Sequence, residues 1–242
     1  MSPTHSAATD VAYRTVHVDG IELLIAPDYP GFGFSSQPST REFTYTFDNL
    51  ANLIDAFIET LGITKLSMYV QDYGGPIGMR IATKRPGLIR AIVVQNANVH
   101  LEGILDALAP LATYWKDQSP EIESNVRGFL TLETTTFQYT HGVQYPERVS
   151  NDAIQLALFR DYESNLALYP SWQQYLRTQR PPMLVIFGKN DPFFTPAGAE
   201  AIGRDNPNAR LVPLEGAIGS AAFSGGLPTA PMPCRSAFST AR

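Results

Sequence analysis

Apolar and polar positions change rhythm several times along the chain, and each change marks an element. From Val11 to Leu24 they alternate, with Asp19-Gly20 as the turn between two short strands. Ile25 to Ser35 reads as a strand end running into a Pro/Gly loop. From Thr46 the period lengthens. Phe47, Leu50, Ile54, Phe57, Ile58 and Leu61 fall on one helical face, Thr46 is placed to cap the N-terminus, and Gly62 ends the helix. The stretch 65–71 reads as a strand, and beyond Gly74-Gly75 a helical pattern runs to about Lys84. Pro86-Gly87 stops it, and Arg90 to Gln95 is a short buried strand. Strands alternating with helices predict a parallel sheet covered on both faces.

Between Asn98 and Arg180 the patterns are helical, with scattered aromatic residues and no strong strand. An inserted helical cap is expected there, since long excursions from an α/β core commonly serve as lids. Strand patterning returns at Met183–Gly188. Glu200 to Asp205 fits the end of a helix, and Ala209 to Leu214 is a last strand. The expected organisation is a core over 11–97, a cap over 98–180, a second core part over 181–215 and a tail over 216–242. The tail holds 17 Gly, Ala, Ser or Pro in 27 positions and is expected to be disordered, because it has too little apolar patterning to order itself.

Composition narrows the function classes. At 242 residues, 44% hydrophobic and 17% charged, the chain is expected to be a globular α/β protein with a sizeable core. A net charge of −5 and a pI near 5.4 argue against nucleic acid or an anionic membrane as partner. No apolar run is long enough to span a bilayer, and Met1 to Asp10 lacks the apolar core of a secretory signal. Cys234 is the only cysteine, which points to a reducing, cytoplasmic setting. Gly31-Phe32-Gly33 lacks the third glycine and the following helix of a dinucleotide loop. No motif implies a metal, nucleotide or redox cofactor.

The chemistry concentrates at Val70-Gln71-Asp72-Tyr73-Gly74-Gly75-Pro76-Ile77-Gly78. This reads as a strand turning sharply into a helix, with Asp72 at the turn and glycines allowing close strand–helix approach. Free backbone N–H groups at the helix start favour a negative charge. Asp72 is therefore either a nucleophile on display or a capping aspartate.

Asp72 does not stand alone. Together with Ala26-Pro27-Asp28-Tyr29-Pro30-Gly31-Phe32-Gly33-Phe34-Ser35, Gln95-Asn96-Ala97-Asn98 and Gly188-Lys189-Asn190-Asp191-Pro192, the turn resembles the α/β-hydrolase fold over roughly residues 11–215. Within it the chain is similar to the aspartate-nucleophile branch, the epoxide hydrolases and haloalkane dehalogenases. The resemblance implies that Asp72 attacks an epoxide or halogen-bearing carbon to form an ester, that Asp191 is the acid orienting a histidine, and that the Tyr73 N–H lies in the oxyanion hole. A serine-type esterase is disfavoured, because Asp occupies the elbow. Dehalogenases usually carry Trp where this chain has Tyr73, which favours epoxides. Epoxide hydrolases protonate the opening ring from cap tyrosines; Tyr114, Tyr139, Tyr145, Tyr169 and Tyr175 are the candidates. His141 reads as a cap residue. The implied substrate is a small apolar molecule.

Two departures from the family pattern bear on turnover. Leu23-Leu24 runs straight into Ile25-Ala26-Pro27, omitting a strand, a helix and the loop with the second oxyanion donor. The four histidines, His5, His17, His100 and His141, all precede Asp191, whereas the family's base follows the last strand. There the chain reads Gly216-Ala217-Ile218-Gly219, whose codons in a shifted frame can encode Gly-His-Trp. The expectation is a relative that forms the Asp72 ester without releasing it, or else a non-catalytic truncated member.

Overall fold

The computed structural model describes residues 25–33, 35–104, 109–130, 152–189, 191 and 193–215. The alternating stretch 11–24 and the tail 216–242 lie outside the described residues. Four strands, β1 (Leu66–Gln71), β2 (Ile89–Gln95), β3 (Met183–Gly188) and β4 (Ala209–Leu214), form a parallel sheet in the order β1-β2-β3-β4. The described helices are α1 (Phe47–Thr60), α2 (Gly74–Lys84), α3 (Ala109–Lys116), α4 (Pro120–Arg127), α5 (Asp152–Asp161), α6 (Glu163–Gln179) and α7 (Pro196–Asp205). None is long and apolar enough to cross a membrane.

Local sequence explains most boundaries. Thr46 caps α1, its hydroxyl accepting from the Asn49 N–H at 3.1 Å, and Phe47, Leu50 and Ile58 are buried on one face. Leu61, expected on that face, is the C-cap residue and is exposed, because the chain leaves the helix there and turns through Gly62 at φ 66°. α7 begins at Pro196, one turn earlier than its apolar pattern alone reveals, since Pro is favoured at a first helical turn.

Register places Met68, Val70, Ile92, Val94, Met183, Val185 and Phe187 on one sheet face. They form the main core with Met79 and Ala82 of α2, Tyr169, Trp172, Tyr175 and Leu176 of α6, and Ala199 and Ile202 of α7. α6, which the sequence assigns to the cap stretch, thus drives its second half into the sheet core. The opposite face carries Tyr69, Val93 and Leu184, which belong to none of the hydrophobic clusters of the described residues. Helical cover on both faces was expected; among the described residues the helices cover one. A second cluster joins α1 to Ile77 and Ile81 of α2 and to Ile154, Leu158 and Tyr162. A third, smaller one holds Leu111, Tyr114, Val126 and Leu156.

Candidate active site

A parallel sheet presents the C-terminal ends of its strands at one edge, and the site lies there. β1 delivers Asp72 with φ 43°, a left-handed backbone that Asp tolerates better than most residues. Two bonds hold the turn: the Asp72 N–H donates to the Asn96 carbonyl at 3.2 Å, and the Gly75 N–H donates to the Asp72 carbonyl at 2.9 Å. α2 starts at once because nothing obstructs it. A Cβ on Gly75 would lie 2.6 Å from the Ala97 Cβ, and one on Gly78 2.7 Å from Val70 Cγ1. Tyr73, not Asp72, is the N-cap residue of α2, and no side chain caps it. The Tyr73 backbone N–H instead points at the Asp72 carboxylate. Burial pushes the Asp72 carboxyl up to about 7, the charge of Asp191 adds to this, and the Tyr73 N–H opposes both.

Asp191 follows β3, so β2 lies between the two carboxylates. Its Oδ1 accepts the N–H groups of Phe193 at 2.7 Å and Phe194 at 2.9 Å, and its Oδ2 accepts from Asn96 Nδ2. Asn96, fully buried at the end of β2, also has a left-handed backbone at φ 42°. Its Oδ1 accepts the Gly188 N–H at 3.4 Å, and its own N–H donates to the Ile186 carbonyl at 3.3 Å.

Aromatic rings gather beside the elbow. Phe47 meets Tyr73 edge-on at 5.2 Å and Tyr162 at 5.8 Å, and Trp115 stacks on Tyr162 at 6.3 Å. Tyr162 is the N-cap residue of α6, and Tyr169 lies two turns along the same helix. Both are buried. The Tyr162 hydroxyl is held protonated, chiefly by burial and then by Tyr169 and the Asp72 charge. Burial pushes Tyr169 up to about 12. Tyr162 and Asn98 both act on the Tyr169 hydroxyl, yet that oxygen makes no hydrogen bond of ordinary geometry, so these are near contacts rather than formed bonds. The Tyr29 hydroxyl also lies close to the elbow, 3.7 Å from where a Cβ on Gly74 would stand, and Tyr29 packs with the cluster that holds Phe47 and Tyr162.

Arg80 of α2 ties this aromatic group to the core. Its Nε donates to Asp48 at 2.5 Å, its Nη1 to Asn165 Oδ1 at 2.6 Å and its Nη2 to Ser164 at 2.9 Å. The guanidinium also lies over the Phe47 and Trp172 rings. Nearby, Asp161 Oδ2 accepts the Phe47 N–H at 2.7 Å, tying α5 to the start of α1.

Of the residues singled out from sequence, the fold brings together Asp72, Tyr73, Asp191 and Tyr169. Tyr114 is placed elsewhere: it packs with Leu111, Val126 and Leu156, and its hydroxyl faces Glu123 and Arg160. Tyr175 is a core residue beside Leu176 and Met183. Tyr139, Tyr145 and His141 lie outside the described residues, as do His5 and His17. His100 is buried with its Nε2 on Asp205 at 2.9 Å. Tyr162 was not singled out from sequence; its spacing of seven from Tyr169, which repeats a helical face, is the signal that could have found it. No three His, Cys, Asp or Glu side chains of the described residues converge as a metal-ligand set.

Residues 23–217 match the model of the alpha/beta hydrolase fold family. An uncharacterized hydrolase of Saccharomyces cerevisiae is 38% identical over 208 residues, covering 78% of this chain and 71% of the yeast protein. Haloalkane dehalogenase 2 of Mycobacterium bovis is 42% identical over 72 residues, 30% of this chain and only 24% of the dehalogenase. Among solved structures, haloalkane dehalogenase DbeA from Bradyrhizobium elkani superposes with a TM-score of 0.61 at 20% identity, covering 84% of this chain and 75% of that one. DBJA gives 0.64 at 19%, covering 85% and 78%. At such identities the likeness is one of fold.

Proposed function

The chain belongs to the α/β-hydrolase fold family, and from that footing we propose that Asp72 is its nucleophile, attacking a saturated carbon of a small apolar epoxide. The observation that carries this is the elbow itself: a carboxylate at positive φ between β1 and α2, where a hydrolase nucleophile must stand, with the Tyr73 N–H beside it favouring its charged form. A carboxylate needs no base for this attack once ionised.

In the step, an Asp72 oxygen forms a bond to a ring carbon while the bond from that carbon to the ring oxygen breaks. The electron pair goes to the ring oxygen, which takes a proton from the Tyr162–Tyr169 pair; water later returns it. The Asp72 charge helps to hold Tyr162 protonated, and esterification removes that charge as the ring oxygen needs the proton. The product is a hydroxyalkyl ester on Asp72. Release requires water to be activated; the histidine present among the described residues, His100, is engaged with Asp205, and the Asp191 oxygens are taken up by Asn96, Phe193 and Phe194. The ester is therefore expected to persist.

Halide displacement is the second reading, favoured by the dehalogenase matched over 72 residues. It uses the same attack, with the halide leaving on its own electron pair and no proton required. Intact-mass spectrometry after incubation with a small epoxide or an alkyl bromide tests both. One stable adduct, mapped to Asp72 and absent from Asp72→Asn, is expected with the epoxide. Sustained diol release would show that a base is in place, and a cooperatively melting protein without any adduct would leave a non-catalytic family member.

A further inference from the structure

We propose that Asn96 is a positioning residue for the Asp72 reaction, its main chain holding the nucleophile's turn and its side chain holding Asp191. This rests on the reading of Asp72 as nucleophile. β2 runs between the strands that supply the two carboxylates, and Asn96 is the residue at its end. All four polar groups of Asn96 are used. The carbonyl takes the Asp72 N–H, the N–H goes to Ile186, Nδ2 donates to Asp191 and Oδ1 accepts from Gly188.

The partners fix the amide's orientation, since a carboxylate can only accept and a backbone N–H can only donate. They also fix the residue type. Glycine suits the φ of 42° but has no amide. Aspartate has the right shape but in its ionised form cannot donate, and it would set a second carboxyl group against Asp191. Asp191 in turn is the charge that acts on Asp72. Asn96 thus sets both the backbone placement of the nucleophile and the electrostatic field it feels, without touching substrate.

A purely structural asparagine would alter melting temperature and leave the pH dependence of ester formation alone. The test follows the rate of Asp72 alkylation by a small epoxide against pH, by intact mass. Asn96→Asp is expected to move the midpoint about one unit to higher pH, which is roughly a tenfold slower reaction on the acid limb. Combining Asn96→Asp with Asp191→Asn exchanges donor and acceptor while keeping every partner's role and the net charge, so the midpoint should return to that of the parent. Asn96→Gly keeps the backbone and drops the amide, and should slow alkylation about tenfold.

Unchanged midpoint and rate in Asn96→Asp and Asn96→Gly overturn the inference. If neither single variant folds, the exchanged pair decides: the parent's midpoint supports it, and failure to restore alkylation overturns it. Absence of any adduct in the parent protein would instead overturn the nucleophile reading.

Discussion

Replacing Asp72 by Asn should stabilise the fold, and by an amount that depends on pH in a defined way. The Asp72 carboxyl titrates near 7 in the folded protein against an ordinary value of 3.8, so folding favours its protonated form. Unfolded chains bind no proton there above pH ~4, whereas the folded chain still does up to about 7, so ionisation costs the native state progressively across that window. Below the unfolded value there is no penalty. Full expression of the shift corresponds to about 4 kcal/mol above pH ~8, about 3 at pH ~6 and about 1 at pH ~4.5. These are upper values, because an opened or hydrated site relaxes part of the burial term. An asparagine of the same shape has no charge to bury and should escape the penalty. Urea unfolding of both proteins at these three pH values, read by fluorescence, gives the differences directly. A gain in stability that rises with pH and levels off near 8 is expected. A gain of equal size at all three values would refute the reasoning, because it would come from something other than ionisation, and a loss would show that the carboxylate is well solvated.

Other residues give sharper or simpler outcomes. Removing both hydroxyls with Tyr162→Phe and Tyr169→Phe should slow alkylation by an epoxide by about 10²-fold or more while leaving alkylation by an alkyl bromide within a few fold, in the same mass assay. Arg80→Met should cost about 2–4 kcal/mol in denaturant unfolding, because Asn165 Oδ1 loses its partner in a buried setting, and Arg80→Lys should not restore it, since one ammonium cannot reach Asp48, Asn165 and Ser164 together. Thr46→Ala should cost about 1 kcal/mol through loss of the α1 cap. Sequencing the transcript across the codons for Glu215 to Gly219 should show a shifted frame that reads Gly-His-Trp; a frame without a His codon there ends the idea.

The strands and the elbow were legible because their signals are local. Four or five apolar residues in a strand of six or seven leave few alternatives, and Thr46 announces its helix by a single hydroxyl. The candidate site, whose roles remain proposals, can be read from sequence only where a motif spans a turn, as at Asp72 and Asp191. Tyr162 stayed hidden because its place beside the elbow is set by how α6 packs on α2 through Arg80, a contact between residues some 80 positions apart that no periodicity encodes. Tyr114 misled for the same reason: an aromatic residue in a helical stretch looks alike whether it faces the elbow or a small cluster of its own. Asn96 appeared within a family motif, but its four-way bonding depends on strand order, which emerges only when β2 is seen between β1 and β3.

That strand order has a kinetic consequence. Because β2 is bonded in register to β1 on one side and β3 on the other, a slip of one residue would carry Asn96 about 3.3 Å along the strand and turn its side chain to the other face. Both carboxylates would lose their anchor in the same event, so a half-assembled sheet has no half-assembled site. On the proposed chemistry, an ester on Asp72 would be a covalent tally of molecules in which three strands have docked correctly, and pulse alkylation during refolding would time the docking of the sheet from the mass spectrum alone.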